Sequence, residues 1–95
     1  MRRKLEYTFQ KGDLVKLVSW DTPSQEGRDD VMLGIIDPDS DESDVILKAG
    51  TLCTVLRIFE DEMVTSRPAY VVMVEHNGRL QELWAYDRDL ELVSR

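Results

Sequence analysis

Ninety-five residues contain one cysteine, one histidine, three prolines and five glycines. A single thiol, Cys53, cannot close an internal disulfide, and no second Cys or cluster of His stands near it to hold zinc. That usage points to a reducing compartment. With His76 the lone histidine, in an apparent turn, neither a Ser-His-Asp nor a Cys-His arrangement has a well-placed base. The few glycines are scattered, so no phosphate-cradling loop forms, and no Lys/Arg patch is interleaved with aromatics. No run approaches the roughly 18 apolar residues of a membrane helix. Met1-Arg2-Arg3-Lys4 leads into Glu6-Tyr7-Thr8 without the apolar core of a signal peptide, which sets a cytoplasmic expectation.

Basic residues are also scarce: 12 Lys and Arg against 19 Asp and Glu, a formal charge of -7. Residues 21 to 47 hold nine acids and one base, and the rest of the chain carries +1. Affinity for nucleic acid is built largely by neutralising phosphates with clustered cations, so this balance argues against duplex DNA or RNA. Arg2, Arg3 and Lys4 are the exception, either a solvated terminus or an arm toward an acidic surface.

What remains is a series of short apolar segments separated by turn signals. Leu14 to Trp20 reads as a first strand, and Asp21 to Asp30, with Pro23 and Gly27, as a loop. Val31 to Ile36 is a second strand whose Gly34 suggests a bulge or a close backbone approach. Asp37 to Asp44 is dense in like charge, so it is expected to be a mobile excursion that neither buries itself nor pairs its charges. Val45-Ile46-Leu47 returns the chain to the body, Lys48-Ala49-Gly50 turns it, and Thr51 to Phe59 is the longest strand.

Asn77-Gly78, between two alternating segments, is a strong hairpin signal, because a type I′ turn needs φ > 0 at both central residues. A two-residue turn there pairs His76 with Arg79, Val72 with Leu83 and Val71 with Trp84. One face is then Tyr70, Val72, Val74, Gln81, Leu83 and Ala85, and the other Val71, Met73, Leu80, Trp84 and Tyr86. Both faces are apolar, yet so small a domain has one interior. The second is covered by the N-terminal lead (Leu5, Tyr7, Phe9), covered by the residue 31 to 47 excursion, or left as a partner surface. A break at Asp87-Arg88-Asp89 and a closing strand, Leu90 to Val93, follow.

Asp37, Asp39 and Asp41 have the 1, 3, 5 spacing of an EF-hand loop. Glu42 stands where that loop needs Gly and Lys48 where it needs a bidentate Glu, so neither metal nor cofactor is expected. Nothing in the pattern points to an enzyme.

Five or six short strands without helical periodicity argue for an all-β barrel. Gly12-Asp13-Leu14-Val15-Lys16-Leu17, Leu33-Gly34-Ile35-Ile36, Tyr70 to Val74 with its Asn-Gly turn and Trp84, and Leu90-Glu91-Leu92-Val93 together resemble the small SH3-like barrel proteins of tailed bacteriophages. The resemblance spans most of residues 11 to 93. It implies an arm at 1–10 and one barrel domain at 11–95: five or six antiparallel strands, a one-turn 3-10 helix before the last, and a long acidic loop. It also implies a non-enzymatic virion protein docked on neighbouring capsid, neck, tail or baseplate subunits. Candidate interface residues are Val71, Met73, Leu80, Trp84 and Tyr86, joined by Arg2, Arg3, Tyr7 and Phe9 from the lead. The alternative is a cytosolic accessory subunit binding a host or cellular protein. Lys48 to Val55 is similar to the turn and strand of KOW-type RNA-binding barrels, with Cys53 where that pattern prefers Gly.

Overall fold

The computed structural model describes residues 7–18, 30–36, 39, 41–60 and 67–95. It holds β1 (Leu14–Leu17), β2 (Asp30–Ile35), β3 (Asp44–Lys48), β4 (Leu52–Ile58), β5 (Ala69–His76), β6 (Arg79–Tyr86), a one-turn 3-10 helix (Asp87–Asp89) and β7 (Leu90–Ser94). The fold is all-β, and every pairing is antiparallel, in the order β3-β2-β6-β5-β4-β1-β7. Seven strands stand where five or six were expected. The additional one is β3: the return segment Val45-Ile46-Leu47 pairs along its length with β2, Met32 opposite Ile46.

That pairing also corrects the reading of the acidic stretch. The β2–β3 ladder reaches past the strand ends to an Ile35 amide donating to the Ser43 carbonyl (2.8 Å), so the acidic stretch is closed at its base as a hairpin connection. Asp39 and Glu42 each make a polar contact, and the Ser43 hydroxyl donates to Asp44 (3.3 Å), so these three carboxylates have partners where none were expected. Asp37, Pro38 and Ser40 lie outside the described residues. So do Ser19 and Trp20, expected to finish the first strand.

Strand order and chain order together dictate the sheet's curvature. β3 and β4 are joined through Ala49, Gly50 and Thr51 alone, yet they occupy the first and fifth places in the sheet. Four inter-strand spacings make about 19 Å in a flat sheet, whereas the four residue steps from Lys48 to Leu52 reach at most about 14 Å. The sheet must therefore curl. Its inner face gathers Val15 and Leu17, Val31 and Leu33, Leu47, Cys53 and Val55, Tyr70, Val72 and Val74, Leu83 and Ala85, and Leu90 into one core cluster.

The β5–β6 hairpin keeps the register that its turn requires. Asn77 (φ 54°) and Gly78 (φ 76°) both occupy the left-handed region, and pairing runs without a slip from His76–Arg79 to Ala69–Tyr86. β4 is less regular. Val55 faces Val72 and Arg57 faces Val71, so Leu56 is an extra residue, a bulge. Beyond it the alternation is reversed, and Arg57 and Phe59 turn to the outer face.

Residues 7–10 lie against the body rather than apart from it. The Tyr70 hydroxyl accepts the amides of Thr8 (2.8 Å) and Phe9 (3.2 Å), and the rings of Tyr7 and Phe9 meet Tyr70 edge-on at 5.9 and 5.2 Å. The buried Asp13 carboxylate accepts the Gln10 amide (2.8 Å) and the Arg95 Nε (3.3 Å), while Arg95 Nη2 donates to the Thr8 carbonyl (2.7 Å). Both ends of the described chain are thus tied to one carboxylate.

Candidate partner surface

The outer face of the sheet carries an apolar band across β3, β2, β6 and the end of β4. Its centre is Trp84. β2 pairs β6 with Gly34 opposite Trp84, and the indole lies directly over the glycine: a Cβ built there would fall inside the ring. Gly34 is therefore the close approach anticipated from sequence, and its cause is a neighbouring side chain rather than a turn. Phe59 stacks on the indole (centroids 5.1 Å, 9° between planes), and Tyr86, two residues along the same strand, meets it edge-on at 5.2 Å. Such contacts contribute about 0.5–1.5 kcal/mol each beyond area burial.

From this cluster the band continues onto the β2–β3 hairpin, where the cross-strand pair Met32 and Ile46 is 61% and 58% exposed. Met32 shares its face with Gly34 by the two-residue strand period. Charged groups border the aromatic centre. Arg57 pairs with Glu82 (3.1 Å), Arg67 holds Asp87 through two nitrogens (3.0 and 3.4 Å), and the Arg88 guanidinium lies 5.3 Å over the Tyr86 ring. An apolar centre inside a polar rim is the usual anatomy of a protein–protein contact.

The residues singled out from sequence scatter around this arrangement. Trp84 and Tyr86 lie at its centre, half-buried; Val71, opposite Trp84, is fully buried beneath it; and Met73 is half-buried opposite Glu82. Leu80 sits near the hairpin tip opposite Glu75, 72% exposed and apart from the aromatic cluster. Tyr7 and Phe9 contact Tyr70, whose side chain belongs to the inner face, so they do not cover the Trp84 face. Arg2 and Arg3, like Leu5, lie outside the described residues. Sequence reasoning missed Phe59, Met32 and Ile46. The first is invisible because only the Leu56 bulge turns it outward, and the other two because the pairing of β3 with β2 was not anticipated.

Chemistry that would mark a catalytic centre is sparse. Burial pushes the Cys53 thiol up to about 11, far from the thiolate a nucleophile requires. The His76 ring nitrogen lies 3.3 Å from the neighbouring Asn77 amide nitrogen at the hairpin turn. Asp89, buried beside the last strand, has its carboxyl raised chiefly by desolvation, with Arg88 opposing. Among the described residues, no three His, Cys, Asp or Glu side chains converge as a metal site. Compared with protein-family models, with curated proteins and with solved structures, the chain gives no match.

Proposed function

We propose that this protein is a non-enzymatic structural subunit of a tailed-phage particle, an SH3-like barrel that docks on neighbouring subunits through its outer sheet face. The observation that carries the reading is the band formed by Met32, Ile46, Phe59, Trp84 and Tyr86: a stacked aromatic centre with an exposed aliphatic flank and a charged border. The barrel assignment is supported by the curl that the three-residue β3–β4 connection imposes. It is supported too by the terminal order of tight hairpin, one-turn 3-10 helix and closing strand, and by β1 lying between β4 and β7. The buried, high-pKa thiol and the isolated histidine are consistent with a role outside catalysis. Affinity comes from removing this band from water, about 25 cal/mol per Å² of apolar surface before association costs are subtracted.

Quantitative mass spectrometry of purified particles tests the assignment: the protein is expected at a fixed integral copy ratio to the structural subunits, and its absence from particles overturns it. The surface is tested with Trp84→Ala/Tyr86→Ala and, because truncating the aromatic centre costs stability, with Met32→Glu, which changes a side chain 61% exposed. Both variants are expected to fold and to lose incorporation. Wild-type incorporation of folded Met32→Glu and of the folded double variant overturns the docking face. A nucleic-acid role through the KOW-like turn predicts retention of RNA on filters at about 50 mM salt, and we expect none.

A further inference from the structure

Among the described residues β3 is an edge strand, and its sequence complements itself. Among the described residues no strand lies beyond it, and it reads Asp44-Val45-Ile46-Leu47-Lys48. Edge strands that avoid further pairing carry a bulge, a proline or a charge at mid-strand. β3 has none of these; its central three residues are all apolar, and its charges of opposite sign stand at its two ends. The other edge, β7, is managed differently: its ladder with β1 slips between Leu14–Ser94 and Val15–Leu92, leaving Val93 as an extra residue.

The hydrogen-bond phase of the β2–β3 ladder decides which groups of β3 face outward. Ile35 donates its amide to the Ser43 carbonyl directly opposite, so the bonded pairs recur at Leu33–Val45 and Val31–Leu47. The main-chain groups of Asp44, Ile46 and Lys48 then point to the open side, the Lys48 carbonyl accepting from the Thr51 amide (3.2 Å) and hydroxyl (2.7 Å). We infer that a second copy of this chain pairs antiparallel with β3 about a two-fold axis at Ile46, joining the two sheets edge to edge.

That register gives the outward groups of Ile46, the Asp44 carbonyl and the Lys48 amide partners across the seam. Ile46 exchanges amide and carbonyl with Ile46 of the second copy, and the Asp44 carbonyl receives the Lys48 amide at both ends of the seam. Because the contact is isologous, the Asp44–Lys48 side-chain pair occurs twice, once at each end of the seam. On the outer face Met32 and Ile46 of the two copies form one continuous row of four side chains, which joins the two apolar bands, buries only the facing flanks of the Ile46 side chains and leaves the row's outer surface open. Lys48 stands between Asp30 of its own sheet and Asp44 of the second copy, which offsets part of the acidic charge brought together at each end of the seam. An antiparallel seam centred on Ile46 sends the two acidic loops to opposite ends, with the Glu42 positions about 27 Å apart along the strand direction, beyond the screening length of about 8 Å at physiological salt. Five residues a side make a small contact, so the dimer forms with a dissociation constant on the order of 10–100 µM.

Charge variants of the full chain test the register. Asp44→Lys sets cation against cation at both ends of the seam, and Lys48→Glu sets anion against anion. In an equimolar mixture the altered position of each copy faces the altered position of the other, and the unaltered pair is also complementary. Sedimentation velocity up to about 0.5 mM is expected to show a wild-type dimer, at least tenfold weaker association for each variant alone, and recovery in the mixture. The Ile46 amide is expected to exchange more slowly with deuterium as wild-type concentration rises. A wild-type chain that stays monomeric overturns the proposal. So do variants that dimerise unchanged, a mixture of folded variants that fails to recover, or a dimer whose Ile46 amide exchange ignores concentration. The particle assignment does not depend on any of these results, since it is read by incorporation and by the variant at Trp84 and Tyr86, which lie on β6, away from the β3 seam.

Discussion

Replacing Gly34 with alanine should damage the protein through one side chain, Trp84. Gly34 has no left-handed backbone that only glycine could adopt, so alanine in a strand would ordinarily gain about 0.5–1 kcal/mol over glycine. Here the added Cβ falls inside the indole, and the ring must leave. It then forfeits its stack with Phe59 and its edge contact with Tyr86, together about 1–3 kcal/mol, and its new position leaves an imperfect fit at the β2–β6 seam, a further 1 kcal/mol or so. The balance is a net loss of about 1–3 kcal/mol, a fall in midpoint of about 4–8 °C per kcal/mol for a domain of this size. Thermal and denaturant unfolding followed by circular dichroism measures it, and Trp84 emission reports the displacement of the ring. The decisive measurement is a double-mutant cycle: in a Trp84→Ala background the clash is gone, so Gly34→Ala should become neutral or stabilising. Equal effects of Gly34→Ala in the two backgrounds would refute the account.

Three other outcomes follow from buried polar atoms. Burial raises the Asp89 carboxyl, so the folded state holds that proton more tightly than the unfolded chain; the contribution is present below the ordinary carboxylate range and lost as pH rises through the folded value. The stability of wild type relative to Asp89→Asn should therefore improve from pH 7 to pH 4 in thermal melts, and a constant difference contradicts it. A thiol raised from 9.0 to about 11 holds roughly a hundredfold less thiolate at pH 8, so Cys53 should resist a disulfide reagent until denaturant unfolds the protein; labelling at the free-thiol rate in the folded state contradicts its burial. Tyr70→Phe leaves the Thr8 and Phe9 amides without their acceptor and should cost about 1–3 kcal/mol, with faster exchange at those two amides. Unchanged exchange would mean that the hydroxyl does not hold the lead.

The hairpin was readable residue by residue because two positive-φ residues in a two-residue turn leave a single register, and every pair from His76–Arg79 outward follows from it. Gly34 was readable as a close approach but not as the seat of Trp84, since the two meet only through the β2–β6 pairing, 50 residues apart. Phe59 was unreadable as an outer-face residue: strict alternation from Cys53 and Val55 sends it inward, and the Leu56 bulge that reverses it leaves no mark on hydrophobic spacing. The pairing on either side of the acidic stretch was missed because its charge drew the reading toward an excursion, while its flanks, Val31 to Ile35 and Asp44 to Lys48, had enough β-branched and apolar character to pair. The Arg95–Asp13 clamp joins residues 82 apart and has no local signature.

The position of β1 between β4 and β7 has a consequence for the order of events as the chain is made. Leu14 to Leu17 leave the ribosome before either partner, since they pair on one side with Leu52 to Thr54 and on the other with Leu90 to Ser94, so both edges are bare until β4 is made and one stays bare until β7 follows. Pairings of such long sequence separation place folding in the slow range of about milliseconds to seconds. Until Leu90 arrives to fill its place in the core, Val15 and Leu17 are sticky surface, and crowded expression or loss of the last strand would drive the chain toward aggregation before it could fold.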